Sequence, residues 1–494
     1  MDLEPYDILL RRGTVVDGTG GPAFQADVAI RGDRITAMGD LKDAVAINQI
    51  DVSNLVVAPG FIDVHTHDDA ALIVRPEMTP KLTQGVTTVI AGNCGLSGAP
   101  YRRAGELPDL LHLIFKSGQL VAPTFESYLT KVVDAAPALN AAFLTGHTTL
   151  RIQAMGTNLK RTATPNEIAL MRDLLTESLA QGTLGLSTGL FYPPARAAST
   201  EEVIAVAQPL ADCRGLYVTH MRDEADSIME SIEETLTIGR AVGVEVIISH
   251  HKCMGERNFG RSTETLERLE KARQSQPVAW DVYPYTAGSS VLHADLVAQS
   301  SKTILTWSDP HPELAGCELN AAAAALGCAL ADAITQLQPA GAVYFMMDET
   351  DVARILSSSS AMVGSDGLPE DARPHPRLWG TFPRVLKRYV REQKVLSLEN
   401  AVHRMTGLSA QRFGLRDRGQ LAVGCFADLT VFNPDEIADL ATYDQPSRPA
   451  SGIRYVFVNG RIALEDGIPT GARVGRVLRR AHSSHSMPTT QHAS

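Results

Sequence analysis

No stretch of this 494-residue chain holds the roughly 18 uninterrupted apolar residues of a membrane span, so none is expected. Basic side chains are in deficit, 45 Lys and Arg against 56 Asp and Glu, for a net charge of −11. A nucleic-acid partner needs a basic footprint and is therefore not expected. The six cysteines, at 94, 213, 253, 317, 328 and 425, form no CxxC pair. That excludes a disulfide framework as the first reading and makes a reducing cytoplasm the default compartment. The start, 1–12, has acidic Asp2 and Glu4 and no long apolar core, unlike a secretory signal. Aromatic residues are few, at 5%, but hydrophobic residues reach 44%, which rules out wholesale disorder.

The N-terminal 58 residues read as short strands at 7–10, 14–16, 27–31, 34–38 and 55–58. Gly32-Asp33 joins two of them in a tight hairpin. Near the other end, Asn459-Gly460 between two β-rich runs is a strong type I′ hairpin signal. The segments 1–58 and 413–480 are therefore expected to form one small β domain. Between them lie eight apolar, β-rich runs: 60–65, 87–92, 141–146, 183–187, 216–220, 245–250, 278–283 and 361–366. Helical stretches separate most of them. Capping boxes are expected at Thr164–Glu167, with Pro165 at the first helical position, and at Ser199–Glu202. Eight such units predict a (β/α)8 TIM barrel over 59–412, with an insertion at about 284–360 lying over its mouth. The Ser/Thr/His-rich end, 481–494, reads as a disordered tail.

In a barrel the C-terminal strand ends surround one mouth. The first run closes with His65-x-His67, whose side chains share a face with Cα atoms roughly 6–7 Å apart. Alone, HxH serves equally well as a polar strand end, and a lone cysteine as a small buried residue. The second run, however, leads into Cys94, the fifth ends at His220, the sixth at His250 and the eighth at Asp366. Imidazole, thiolate and carboxylate converging on one rim suit zinc.

This constellation, with Ala58-Pro59-Gly60-Phe61-Ile62-Asp63-Val64-His65-Thr66-His67, resembles the amidohydrolase superfamily. The resemblance tightens to its D-aminoacylase family, the N-acyl-D-amino-acid deacylases. It is carried by Gly92-Asn93-Cys94-Gly95, Thr219-His220-Met221-Arg222-Asp223-Glu224, Ser249-His250-His251-Lys252, Gly364-Ser365-Asp366-Gly367 and His375-Pro376-Arg377, and it spans nearly the whole chain. Hydantoinases and dihydroorotases differ, with a carboxylated lysine at a strand end. Here strands three and four end in Gly146-His147 and Ser187-Thr188-Gly189. A scaffold that had lost its ligands would lack several rim residues, and this chain keeps all six.

The resemblance implies a tight Zn²⁺ on Cys94, His220 and His250, and a second, weaker site on His65, His67 and Asp366. Thiolate plus two imidazoles leaves one open position, the pattern of catalytic zinc. Asp366 is the expected general acid and base, and Tyr192 a candidate oxyanion donor. Lys252, Tyr283 and Ser289 are implied to hold the α-carboxylate of a small-molecule N-acyl-D-amino acid. Phe191, Tyr344 and Met347 are candidates for the side-chain pocket. The stretch 289–301 contains no Arg or Lys, which favours neutral hydrophobic D-residues such as leucine, methionine or phenylalanine. Arg377 is the one candidate cation that keeps an N-acyl-D-glutamate or N-acyl-D-aspartate deacylase open. The oligomeric state is not legible.

Overall fold

The structure, a computed structural model, describes residues 4–103, 109–112, 114–115 and 120–480. The tail 481–494 lies outside the described residues. The two chain ends meet in one nine-stranded sheet. Tyr6–Val15 pairs antiparallel with Phe24–Arg31, and Leu429–Phe432 pairs antiparallel with Val56–Pro59. Asn459 and Gly460, with φ of 48° and 77°, turn Ile453–Val458 into Arg461–Glu465, as the Asn-Gly pair requires.

Three details differ from the expectation. The segments 7–10 and 14–16 are one strand, Tyr6–Val15, whose register shifts between Leu10 and Gly13 around left-handed Arg12. A further strand, Ala46–Asp51, pairs parallel to it. Its surface is mostly exposed, so the apolar alternation that marks a strand in sequence is missing. Finally, 473–480 leave the small sheet. Val477 bridges to Ala141, and Arg480 N–H donates to Gly182 O at 2.9 Å. The end of the segment assigned to the β domain thus straps across the parallel strands.

The middle of the chain is an α/β unit. A three-stranded parallel sheet holds Phe61–Asp63, Val86–Ala91 and Asn140–Phe143. A six-stranded one holds Thr145–Gly146, Gly185–Gly189, Leu216–His220, Val246–Ile248, Val278–Val282 and Ala361–Val363 in that order, all parallel. The sheets meet at Leu144, which separates two halves of one run and donates its N–H to Ala91 O at 2.9 Å. They approach again where Thr66 bridges to Gly367. These strands are buried along their length because both faces are covered, and apolar residues alternate with buried polar ones such as Thr88, Ser187 and Thr219. Ile62, Ile90, Ala142, Leu184, Val218, Ile247, Ala279 and Met362 pack inward against Leu408 and Phe413.

Outside, the helix Pro165–Ala180 starts at the expected capping box on Thr164. At Ser199 only half the box forms, since Glu202 turns inward to buried Arg151 and to Ala163 N–H. The expected insertion forms a three-stranded antiparallel sheet of Ala287–Val291, Lys302–Ser308 and Ala340–Phe345. It is shorter than expected. The helix Glu349–Ser357, within the stretch 284–360, packs on Ser262–Ala272 and the last two parallel strands. No helix among the described residues is long and apolar enough to cross a membrane.

The small sheet is joined to the parallel strands by a buried polar knot. Asp428 accepts from Asn459 N–H at 2.7 Å and from Asn140 Nδ2 at 3.1 Å, and it pairs with Arg418. Asp428→Ala would strand the Arg418 guanidinium in the interior. We expect it to lower unfolding free energy by about 3–5 kcal/mol, read as a shift of the urea midpoint relative to the parent.

Candidate metal centre

The rim residues lie at or just past strand ends, and three of them have unusual backbone. Cys94, His250 and Asp366 have φ of 53°, 37° and 50°. Left-handed conformations are sparsely populated by non-glycine residues and cost roughly 1–3 kcal/mol each. They reverse the chain at the rim and aim each side chain inward. Close packing enforces this geometry. A Cβ on Gly92, two residues before Cys94, would sit 2.2 Å from Leu144 O, and one on Gly364 would sit 2.4 Å from His65 Cβ.

The side chains converge. His65 Nε2 lies 3.3 Å from Cys94 Sγ and 3.4 Å from Asp366 Oδ1. His67 Nε2 lies 3.2 Å from the same oxygen. Cys94 Sγ is 3.5 Å from His250 Nε2, which is 3.0 Å from His220 Nδ1. Donor atoms of His65, Cys94, His250 and Asp366 all lie within 4.8 Å of one another. All six rim residues are buried. The two ligand sets implied by the sequence interleave here, with Cys94 between His65 and His250.

Burial pushes the Cys94 thiol up, but His65, His250 and His220 outweigh it and hold it well below its usual value. Burial likewise raises Asp366, and Arg377, His65 and His67 hold it well below the carboxylate range. Burial depresses His67, but Asp366 and Cys94 bring it up to about 9. His65 and His250 are raised in the same way, mainly by Asp281 and Cys94 for the first and by Glu224 and Cys94 for the second. The buried thiol and carboxylate thus raise the proton affinity of His65, His67 and His250. The same set of soft and borderline donors suits zinc.

Two residues without a sequence-assigned role complete the centre. Glu224 Oε1 is 3.0 Å from His250 Nδ1, and Oε2 is 3.4 Å from His220 Nε2. Asp281 Oδ2 is 3.2 Å from His65 Nδ1, and Oδ1 accepts His250 N–H at 2.9 Å. Carboxylates behind ligating histidines fix tautomer and orientation. Glu224 stands four residues after His220 and Asp281 on the seventh strand, so position near the rim was the available signal.

A cavity opens on the centre. His220, Glu224, His250, Lys252, Tyr283 and Asp366 line one side, and Phe191, Tyr192, Met254, Ser289, Leu296, Tyr344 and Met346 much of the rest. Lys252, Tyr283, Ser289, Tyr192, Phe191 and Tyr344 are therefore brought together as expected. Several are already engaged. Lys252 Nζ is 2.7 Å from Glu224 Oε2. Ser289 Oγ donates to Ala342 O at 3.3 Å, and the Tyr344 hydroxyl donates to Val291 O at 2.6 Å. Phe191 stacks on His220 at 5.5 Å.

Two expectations need correction. Met347 lines a separate outer groove with Phe345, while its neighbour Met346 borders both that groove and the cavity. Consecutive side chains leaving a strand point to opposite sides. Arg377 is fully buried and is not a free cation. Its Nη1 pairs with Asp366 Oδ2 at 2.9 Å, its Nη2 donates to Ser289 O at 3.2 Å, and it lies 4.6 Å over the Tyr283 ring.

Comparison with known proteins fits this geometry. A family model described as "Amidohydrolase family" matches residues 49–464. The chain is 53% identical to a D-aminoacylase of Alcaligenes xylosoxydans xylosoxydans, covering 97% of this chain and 99% of that protein. It is 48% identical to an N-acyl-D-aspartate deacylase of the same organism, covering 96% and 95%. A crystal structure of N-acyl-D-glutamate deacylase from Bordetella bronchiseptica, complexed with zinc and a phosphonate inhibitor mimicking the tetrahedral intermediate, superposes with a TM-score of 0.92 at 43% identity. That match covers 96% of this chain and 100% of the other.

Glu224 orients two of the candidate ligands at once. Glu224→Gln keeps its shape but removes the charge, and should weaken zinc binding by about 10–100-fold, measured by chelator competition on the full chain. Unchanged affinity would remove Glu224 from that role.

Proposed function

Since the chain belongs to the amidohydrolase family, we propose that it hydrolyses N-acyl-D-amino acids to a carboxylate and a free D-amino acid, using zinc. The observation that carries this reading is the buried cluster of His65, Cys94, His250 and Asp366 donors within 4.8 Å, open to a cavity that also holds Lys252. The relatives named above, D-aminoacylase and two N-acyl-D-amino-acid deacylases, support it. Cys94, His220 and His250 would hold the tight zinc, and His65, His67 and Asp366 a second, weaker one. Zinc bound there supplies a Lewis acid for the amide carbonyl and makes water nucleophilic near neutral pH.

Asp366 lines the cavity, with one carboxylate oxygen beside His65 and His67 and the other on Arg377. It takes a proton from the attacking water and returns it to the departing amine nitrogen. Arg377 keeps the carboxylate oriented. Lys252, Tyr283 and Ser289 anchor the α-carboxylate, and Tyr192 faces the developing oxyanion. Three fixed contacts, carboxylate anchor, scissile carbonyl and side-chain pocket, admit one hand of the substrate.

The side-chain pocket is read as the wall of Phe191, Met254, Leu296, Tyr344 and Met346. Among the described residues lining the cavity, Lys252 is the only Lys or Arg, and with Glu224 and the α-carboxylate on it no cation is left for a second carboxylate. Neutral hydrophobic D-residues fit such a wall. The alternative, an acidic D-residue, draws on the likeness to the D-aspartate and D-glutamate enzymes.

The architecture is read as a (β/α)8 barrel over 59–412, because the eight parallel runs meet at Leu144 and at Thr66–Gly367 around a common inner core. The segments 1–58 and most of 413–480 form the small β domain, and the insertion runs from about 284 to 348. Six unpaired cysteines support a reducing compartment such as the cytoplasm.

Asp366→Asn keeps the shape but removes the basic oxygen, and turnover should fall by roughly 10²-fold or more while zinc remains on the Cys94 set. Steady-state rates with metal analysis check this, and a rate within a few-fold of the parent would remove Asp366 from the role.

N-Acetyl-D-leucine or N-acetyl-D-methionine should exceed N-acetyl-D-glutamate by tenfold to thousandfold in kcat/KM, on the order expected when a second carboxylate loses hydration without a partner. Burying a leucine-sized side chain adds roughly 1.5–3 kcal/mol. L-isomers should react little. A panel of D- and L-derivatives decides it, and equal or better turnover of D-glutamate would favour the acidic-substrate reading.

A further inference from the structure

We propose that Lys81 is a positioning residue whose buried ammonium pins the junction between the first and last parallel strands, setting His65, His67 and Asp366 relative to one another. The inference rests on the zinc amidohydrolase reading and deepens it. Backbone pairing at this junction is thin. Thr66 and Gly367 form a single parallel bridge, and Asp366 N–H donates to His65 O at 2.8 Å. By contrast, Leu216–His220 pairs with Gly185–Gly189 along its full length. Yet the first and last strands carry three of the six candidate ligands.

Side chains supply the missing connection. Lys81 Nζ lies 2.7 Å from Asp63 Oδ2 and 3.3 Å from Asp68 Oδ2, and donates to Ser365 Oγ at 2.6 Å. Asp63 stands two residues before His65, Asp68 directly after His67, and Ser365 directly before Asp366. Asp63 Oδ1 accepts Ser365 N–H at 2.8 Å, and Ser365 Oγ accepts Gly367 N–H at 3.2 Å. All four side chains are about 1% exposed or less. A buried lysine requires paired charge, and this one finds its partners on both strands.

Lys81 does not touch the catalytic cavity. Its helix, Thr79–Leu82, enters through left-handed Met78 (φ 49°), and the lysine borders a separate cavity of about 290 Å³ with Asp68, Leu378 and Trp379. It therefore acts through Asp63 and Ser365.

Two variants test the tie. Lys81→Met removes the ammonium, while Ser365→Ala removes the direct Lys81–Ser365 hydrogen bond and leaves the Lys81–Asp63–Asp68 ion cluster and the Ser365 N–H bond to Asp63 whole. Each should lower kcat for N-acetyl-D-leucine by about tenfold or more with KM within about threefold. The double variant should be no more than about twofold slower than the slower single, because both remove one connection. Zinc titration of the metal-free full chain against a chelator should show affinity weakened about tenfold in each single variant. Thermal unfolding is followed alongside, because a purely structural lysine would lower Tm and leave kcat and zinc affinity intact. That result would overturn the proposal, as would multiplicative losses in the double variant. Should Lys81→Met fail to fold, Ser365→Ala decides by its kcat and zinc affinity. Should the parent show no deacylase activity, the functional reading fails, and the zinc titration still decides the role of Lys81.

Discussion

Negative charge held away from water governs this structure. Cys94, Asp366, Glu224, Asp281, Asp63 and Asp68 are all buried within one region of the fold. An unpaired ion in such surroundings is prohibitively costly. Each is answered nearby: the thiol by His65 and His250, Asp366 by Arg377, Glu224 by Lys252, Asp281 by His65, and Asp63 and Asp68 by Lys81. The pairing leaves the cavity with little spare positive charge beyond what a metal ion would bring. Under the proposed function, proton handling by Asp366 and selection of neutral substrates would draw on the same charge balance.

That balance needs atoms held to within fractions of an ångström, and the scaffold provides the rigidity. Three rim residues occupy left-handed backbone that only a well-packed surrounding can maintain. An apolar core lies under the rim, and the small sheet is knotted to the opposite ends of the strands through Asp428, Arg418, Asn140 and Asn459. The insertion then brings Ser289, Leu296, Tyr344 and Met346 over the centre from one side.

Much of this was legible in the residues. The parallel strands are buried on both faces and so read as continuous β-rich runs. Asn-Gly, and Thr164 with Pro165 and Glu167, announce their turn and cap through chemistry local to a few residues. Ala46–Asp51 went unread because an exposed edge strand carries no apolar signature. Met346 and Met347 could not be told apart, since which of two neighbours faces a cavity depends on how the strand ends. Arg377 reads as a spare cation because its partner, Asp366, meets it only once the irregular segment between them turns back.

By itself the sequence determined which chemistry could gather: three histidine strand ends, a cysteine and an aspartate on one rim, with lysine absent where related families place it. It determined this because strand periodicity and rim position are properties of short stretches. Only the tertiary structure decided how these groups are shared and oriented. It placed Cys94 between the two ligand sets, set Glu224 and Asp281 behind the imidazoles, turned Arg377 onto Asp366, and drew Lys81 under the junction of the first and last strands. Those choices depend on Coulomb interactions and hydrogen bonds between residues up to 302 positions apart, which exist only once burial removes the water that would otherwise screen them.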